Sequence, residues 1–346
     1  MKILVTGTSG YIGVMMGSYL SQRGHDVTGL DTGYYRDGWL YDGINELPKT
    51  INKDIRHIDQ KDIEGFDACI HLAELSNDPL GQFNPRITYD INHLGTIRLA
   101  EMCRAAGVQR FLYASSCSVY GLGSDDFKTE ASEVNPLTVY AECKVLVERD
   151  VSKMAGADFS PTFFRNATAY GASPRIRFDV VLNNLAGLAW TTREIKLTSD
   201  GKPWRPLVHV LDICKAFACA LDAPRDLVHN QVYNVGDEKE NYRVSEIAQI
   251  ISGVFPGCSL SMGDPVQDNR SYRVSFDKIN TQLPGFHCEW SARLGAEQLY
   301  KLFEAIQMPG EVFEYRAFTR LKQLKYLIES KKIDNQLFWS PPPAAV

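Results

Sequence analysis

Several features are missing from this sequence of 346 residues, and each absence narrows its class. No stretch approaches the roughly 20 apolar residues that a membrane-spanning helix needs. Positive charge is not in excess, since the formal net charge is -5, so nothing indicates a nucleic-acid or anionic-membrane partner. None of the eight cysteines forms a CxxC pair, which favours reduced, mostly buried thiols. A glycine-rich turn follows the opening residues at once, so we expect a cytoplasmic protein without a signal peptide.

Short apolar runs alternate with helical patterns over residues 1–170. Near-continuous apolar strands separated by helices are typical of a parallel sheet covered on both faces. The sequence therefore predicts an α/β protein with a Rossmann-like, doubly wound parallel sheet. The predicted strands are 2–6, 25–31, 66–73, 110–115 and 159–165, and the predicted helices are 11–23, 85–106 and 135–155.

The second half of the chain has longer loops that are rich in proline, tryptophan and arginine. We predict a smaller, mixed α/β substrate lobe over residues 171–310, with the chain returning to the first domain around 205–240. Residues 311–346 form a C-terminal extension. Its charged, helical segment 316–332 predicts a solvated amphipathic helix.

A glycine triplet, Gly7, Gly10 and Gly13, lies directly between the first predicted strand and helix. The first glycine permits a tight turn, the second lets the backbone approach a pyrophosphate, and the third allows close packing of helix on strand. The free N–H groups of the helix N-terminus then face the phosphates. This position distinguishes the triplet from an ordinary glycine-rich loop and predicts a dinucleotide site.

Asp31 ends the second predicted strand, 18 residues after Gly13. A carboxylate there accepts hydrogen bonds from both ribose hydroxyls of adenosine and repels a 2′-phosphate. The position therefore favours NAD over NADP. Arg36, the nearest following cation, keeps NADP as the alternative.

Tyr140 and Lys144 are four residues apart, which on a helix places them on one face. A nearby ammonium favours the phenolate and lowers the tyrosine pKa, so that the phenol can take a proton from a sugar hydroxyl. Ser116 follows a predicted strand, at the edge of the sheet where ligands bind in such folds. The three motifs in this order indicate an oxidoreductase-type site.

With these motifs the chain resembles the extended short-chain dehydrogenase/reductase family, in its nucleotide-sugar epimerase and dehydratase branch. The resemblance covers residues 1 to about 300. It is carried by Thr6–Gly13, Asp54-Ile55, His71-Leu72-Ala73, Asn92, Ser115-Ser116, Val119-Tyr120-Gly121, Tyr140/Lys144, Arg165, Tyr170-Gly171, Trp204-Arg205, Val208–Asp212 and Tyr233–Gly236.

The resemblance implies a tightly bound NAD, a nucleotide-diphosphate-sugar substrate, no metal, and a homodimer formed through the helices near 90–106 and 135–155. The implied cofactor contacts are Gly7, Ser9, Gly10, Tyr11, Ile12, Gly13, Asp31, Asp54, Ile55, Leu72, Ala73, Asn92, Ser115, Tyr140 and Lys144. The implied substrate contacts are Glu74, Ser76, Ser116, Asn166, Thr168, Asn183, Asn184, Arg205 and Arg270. Arg205 and Arg270 would grip the diphosphate.

The family's 4,6-dehydratases carry an aspartate and a glutamate directly after the catalytic serine or threonine, where this chain has Cys117 and Ser118. The departure favours an NAD-dependent 4-epimerase of a nucleotide hexose, with Ser116, Tyr140 and Lys144 as catalytic residues. Cys117 is a further catalytic candidate as a proton donor, with a small thiol that only lines the crevice as the favoured alternative. The alternatives are a net reductase or dehydrogenase, an atypical dehydratase that uses Cys117 and Glu74, and a non-catalytic NAD-sensing regulator.

Overall fold

A computed structural model describes residues 1–44, 46–76, 78–264 and 271–340, and of residues 123–125 it describes the backbone alone. The strands are β1 (Lys2–Thr6), β2 (Asp26–Asp31), β3 (Lys49–Asn52), β4 (Ala68–His71), β5 (Arg110–Ser116), β6 (Leu122–Lys128), β7 (Ser160–Asn166), β8 (Thr168–Tyr170), β9 (Glu194–Lys196), β10 (Trp204–His209), β11 (Gln231–Val235), β12 (Asn241–Arg243), β13 (Ser259–Ser261) and β14 (Ser271–Val274).

The helices alternate with these strands. They are α1 (Tyr11–Gln22), α2 (Asp78–Phe83), α3 (Pro85–Thr88), α4 (Thr96–Ala105), α5 (Val139–Ser152), α6 (Val181–Thr192), α7 (Val210–Asp222), α8 (Arg225–Val228), α9 (Val244–Val254), α10 (Asp277–Gln282), α11 (Ala292–Ala305), α12 (Gly310–Glu314) and α13 (Arg320–Glu329). A π-helical turn at Tyr89–Gly95 joins α3 to α4. Over the described ranges, no helix is both long and apolar enough to cross a membrane.

The larger sheet is parallel and has the strand order β3-β2-β1-β4-β5-β7-β11. Its central strand β1 is wholly buried at Ile3, Leu4 and Val5, because helices cover both faces. The predicted Rossmann-like fold is confirmed, and β3 is an edge strand that the sequence analysis missed. The strand order reverses between β1 and β4, which opens a crevice at their carboxyl ends.

A second hydrophobic core lies beyond the sheet and is built between residues 170 and 318, from α6, α9 and α11 above all. Small sheets join it to the rest, in the orders β12-β10-β8 and β13-β9, while β14 pairs with β6. The register of the parallel β10–β8 pair places His209 beside Tyr170.

The C-terminal extension is not a solvated helix, which corrects the prediction for residues 316–332. Leu324 and Leu327 of α13 are buried in the core under the larger sheet. Gln323 is also buried and donates to the backbone oxygen of Tyr34, at 2.9 Å. The apolar face of this helix therefore packs on the loop after β2, and only its opposite face meets solvent.

Candidate functional site

A cavity of about 650 Å³ lies between the carboxyl ends of the parallel strands and the second core. Most of the predicted site residues line it. They are Gly7, Gly10, Tyr11, Ile12, Gly13, Asp31, Asp54, Ile55, Leu72, Ala73, Glu74, Ser76, Ser115, Ser116, Tyr140, Lys144, Asn166, Thr168, Asn184 and Arg205. Four others, Ser9, Asn92, Cys117 and Asn183, are not among its lining residues. Arg270 lies outside the described residues.

The glycine turn has the shape that a dinucleotide needs. Gly7 has a φ of +77°, which only glycine adopts without strain. A Cβ on Gly13 would stand 1.9 Å from the carbonyl oxygen of Gly7, so the helix can approach the strand only without a side chain there. The N-terminus of α1 is thereby held open toward the cavity, where its N–H groups can bind a diphosphate. The predicted cofactor NAD fits this cradle.

Asp31 lies at the end of β2 with its carboxylate held from behind. Its two oxygens accept hydrogen bonds from the backbone N–H groups of Ser9, at 2.9 Å, and Gly33, at 2.6 Å. Burial raises the pKa of Asp31, and these two N–H donors oppose that shift. The backbone of Ser9 therefore helps to position Asp31. Arg36, the cation that would favour NADP, lies over the ring of Trp339.

Two predicted contact residues support the cleft from behind. Asn92 is fully buried and clamps the backbone of Leu75 through both its amide atoms, at 2.9 and 3.0 Å. Asn183 is equally buried, donates to the Arg177 backbone oxygen and accepts from the Gly171 N–H. Asn92 was expected behind the cofactor, and the hydrogen bonds of both asparagines go to the protein, so the two residues help to shape the cleft without being among its lining residues.

Helix α5 carries the predicted catalytic pair. Its N-terminus is capped by the Thr138 hydroxyl, which accepts from the Ala141 N–H at 3.2 Å. Tyr140 and Lys144 then share one face, with the ammonium 5.3 Å from the centre of the phenol ring. Lys144 also donates to the backbone oxygen of Ala114 at the end of β5. The helix and the neighbouring strand thus hold the lysine beside the tyrosine.

Glu74, which the sequence analysis assigned to the sugar, forms a buried ion pair with Lys144 instead. The two side chains are only 3% and 4% exposed. The other Glu74 oxygen accepts a 2.5 Å hydrogen bond from the Tyr113 hydroxyl. This corrects the predicted role, because the carboxylate is already engaged by the catalytic lysine and by a core tyrosine.

The ion pair changes the electrostatics of Tyr140. Burial raises the pKa of this phenol, Lys144 and the Ser116 hydroxyl lower it, and the Glu74 and Asp78 carboxylates raise it further. The net pKa lies above the ordinary value, whereas the sequence analysis predicted a lowered one. The difference arises first because burial disfavours the charged phenolate, and second because the Glu74 carboxylate offsets part of the charge of Lys144.

Two residues that line the cavity, Ser118 and Asn166, carry buried polar atoms that bear on ligand binding. In the part of the chain that the structure describes, the Ser118 hydroxyl and the Asn166 side-chain oxygen are buried without a hydrogen bond. Both residues line the cavity. Buried polar groups are costly unless a partner satisfies them, so these two atoms fit hydroxyl groups of a ligand. Ser118 was considered only as the replacement for a family carboxylate, and its place among the cavity-lining residues was not predicted.

Cys117 points away from the cleft, into the core. It is 1% exposed, and its thiol donates to the backbone oxygen of Arg165 at 3.1 Å. Burial raises the pKa of this thiol well above its usual range. The predicted catalytic role is therefore corrected, since the turn after β5 aims Ser116 and Ser118 at the cavity and Cys117 at the opposite side.

Replacing the Cys117 thiol tests this correction. We expect Cys117→Ala to keep kcat within about twofold of the wild type while lowering the unfolding free energy by about 1 kcal/mol, as small core truncations do. Steady-state kinetics together with urea unfolding measure both quantities. A tenfold or larger drop in kcat with unchanged folding would restore Cys117 as a catalytic residue.

Among the charged cavity residues that were not predicted are Arg177, Asp179 and Arg320. The first two stand in an otherwise apolar segment, Ile176–Leu182, directly after the Tyr170-Gly171 motif. Two charges in such a segment are a signal that the sequence analysis could have used. Arg320 lies in the C-terminal extension and carries no local signal of this kind.

Comparison with known proteins agrees with this geometry. A model of the NAD dependent epimerase/dehydratase family matches residues 3–236. A UDP-glucuronate 4-epimerase from Thermodesulfobacterium geofontis is 28% identical over 262 residues, which are 72% of this chain and 79% of that protein.

Solved structures are similar over most of the chain. MoeE5 in complex with UDP-glucuronic acid and NAD matches with a TM-score of 0.76 and 25% identity, covering 88% of this chain and 99% of that one. The NAD dependent NDP-hexosamine 5,6-dehydratase TunA, at 22% identity and a TM-score of 0.77, covers 88% and 98% and shares the fold. NAD is the cofactor of this fold and family. The chain belongs to the NAD dependent epimerase/dehydratase family.

Proposed function

We propose that this protein is an NAD-dependent nucleotide-sugar epimerase that inverts C4 of a nucleotide-diphosphate hexose through a transient 4-keto sugar. One observation carries the proposal: Ser116, Tyr140 and Lys144 meet in the same cavity as the glycine turn and Arg205. The similarity to a UDP-glucuronate 4-epimerase supports it.

The chain's own residues divide the proton chemistry. Tyr140 takes the proton of the C4 hydroxyl as a general base and returns it at the end of the cycle. Ser116 hydrogen-bonds to the same oxygen, and Lys144 supplies the positive charge that stabilises the phenolate. NAD, which the glycine turn and Asp31 would hold, would supply the reversible hydride acceptor that this oxidation and reduction need.

The arrangement favours epimerisation over elimination of water. An atypical dehydratase was expected to use Cys117 and Glu74, yet the thiol faces the core and the carboxylate is paired with Lys144. The similarity to the dehydratase TunA is one of fold at 22% identity. Asp78 also lines the cavity, but its carboxylate accepts a 2.6 Å hydrogen bond from Thr138 at the start of α5.

The C-terminal extension also favours epimerisation over net redox turnover. Trp339 donates to the backbone oxygen of Thr32 at 2.7 Å, and the Tyr34 hydroxyl donates to the backbone oxygen of Leu337. These contacts cover the loop that follows Asp31, where adenosine is expected. A covered cofactor suits a reaction that regenerates NAD in each cycle better than one that exchanges it.

Mass spectrometry tests the reaction directly. Purified protein is analysed for bound nucleotide and then incubated with UDP-, GDP-, dTDP- and CDP-hexoses. We expect bound NAD and conversion of one sugar to an isomer of equal mass. Loss of about 18 mass units would instead identify a dehydratase, a change of two a net redox enzyme, and no conversion of any sugar a non-catalytic NAD-binding protein.

Arg205 tests the substrate side of the proposal. Its side chain lines the cavity at the start of β10, where a guanidinium can grip a diphosphate. We expect Arg205→Gln to raise KM for the nucleotide sugar about 10- to 100-fold with little change in kcat. The matched control is Arg243→Gln, on the neighbouring strand β12, which is exposed and stacks on Trp204. Equal KM values for both variants would remove Arg205 from the substrate site.

We also propose the division of the chain into a cofactor domain (1–170), a substrate lobe (171–310) and an extension (311–346). A separate hydrophobic core in the middle segment supports this division.

A homodimer through α4 and α5 is proposed, supported by the exposed Leu94 beside α4. A cytoplasmic location is supported by cysteines that are all free. Size-exclusion chromatography with light scattering tests the dimer.

A further inference from the structure

A buried guanidinium from the C-terminal extension projects into the cofactor cleft. Arg320, the first residue of α13, is 2% exposed and lines the cavity. Within the described residues, its guanidinium donates no hydrogen bond and lies instead on the ring of Tyr35, 4.0 Å from its centre. Because the guanidinium of Arg320 stacks on a ring face, its N–H groups can donate hydrogen bonds to a ligand.

The carboxylate of Asp179, which lines the same cavity, already has hydrogen-bond partners. Its two oxygens accept hydrogen bonds from Nε and Nη2 of Arg177, at 2.8 and 3.2 Å. Asp179 also accepts a hydrogen bond from the backbone N–H of Arg320, at 3.3 Å. The Arg177 guanidinium therefore pairs with this carboxylate, which Arg320 contacts through its backbone N–H. Burial and the charge of Arg177 lower the pKa of Arg320 to about 10, so it stays charged at neutral pH but lacks full compensation.

The position of the pair along the cleft identifies the anion. Asp31 marks the adenosine ribose at one end, and its carboxylate interacts with the charge of Arg320. Tyr140 marks the nicotinamide end, and its phenol interacts with the charge of Arg177. Between the two riboses of a dinucleotide lies its diphosphate, and Gly10 and Tyr11 at the N-terminus of α1 line the same cavity as the two arginines.

We propose that Arg320, assisted by Arg177, binds the diphosphate of NAD, so that the C-terminal extension completes the cofactor site. The extension lies outside residues 3–236, which the family model matches. Its anchors are Leu324 and Leu327 in the core and Trp339 on the loop after β2. The inference concerns cofactor binding and holds whichever sugar is the substrate.

Calorimetric titration of nucleotide-stripped protein with NAD, ADP and adenosine tests this contact. We expect Arg320→Gln to weaken NAD and ADP binding about 10- to 100-fold, as loss of a charge-assisted hydrogen bond does, and to change adenosine binding less than threefold. Arg320→Lys, which keeps the charge without the planar fork, is expected to lie between the wild type and Arg320→Gln.

The matched control is Arg316→Gln in the same extension. Its guanidinium pairs with Asp37 at 3.0 Å and stacks on Tyr326, away from the cavity, so all three affinities should stay at wild-type values. Equal weakening of NAD, ADP and adenosine by Arg320→Gln would show a purely structural role. Unchanged ADP binding would also overturn the proposal, and weakened NADP binding in that case would place Arg320 at the 2′-phosphate. If Arg320→Gln fails to fold, the ratio of ADP to adenosine affinity in Arg320→Lys decides.

Discussion

Tyr140→Phe is expected to lower kcat about 10²- to 10⁴-fold while leaving NAD bound. The substitution removes the hydroxyl that exchanges a proton with the sugar, and general acid–base catalysis contributes an effect of this size. The ring remains, so its packing on Lys144 and the walls of the cavity are retained. Turnover is followed with the sugar nucleotide found by mass spectrometry, and NAD content is measured on the same preparation.

Tyr89→Phe is the matched control for this variant. Tyr89 lies on the helix that packs beside α5, and its hydroxyl donates to Glu142 at the surface, at 2.5 Å. Its loss should change kcat less than twofold. If Tyr140→Phe kept more than a tenth of the wild-type kcat, another group would have to serve as the base, and Ser118 and Asp78 would be the next residues to replace.

Glu74→Gln is expected to move the acidic limb of the pH–activity profile toward lower pH. Activity requires a deprotonated Tyr140, so it rises as the pH passes through the pKa of that phenol. The Glu74 carboxylate raises the pKa of Tyr140, and its removal therefore lowers that pKa. A shift of about one pH unit is expected from the loss of one nearby charge. Profiles of kcat/KM that extend into the alkaline range, where this phenol titrates, measure it.

The same variant should lower the unfolding free energy by about 3 kcal/mol, because Lys144 loses its counter-ion inside the protein. Glu142→Gln, an exposed neighbour on the same helix, is the control and should leave both the profile and the stability unchanged. An unmoved limb, or one displaced to higher pH, would mean that Glu74 does not tune the catalytic tyrosine.

Much of the site could be predicted because its geometry is local. The glycine turn, Asp31 at a strand end and the Tyr140/Lys144 spacing each depend on one strand, one turn or one helix. The family, the fold and NAD were predicted in this way, and the comparisons confirm them.

The predictions that were wrong concern side-chain orientations, which the spacing of residues along the chain leaves open. The Cys117 thiol was predicted beside the cleft, but the turn after β5 points it into the core. It assigned Glu74 to the sugar, but burial against Lys144 decided its partner. A side chain at the end of a strand has two sides to face, and packing with distant elements chooses between them.

The sequence by itself determined which catalytic and cofactor-binding elements exist, since each of them is written in a few consecutive residues. Only the tertiary structure decided which distant charges join them. Arg320 reaches the cavity because its helix buries Leu324 and Leu327 against residues far earlier in the chain. Such contacts depend on the burial of complementary apolar surfaces, which no local pattern encodes.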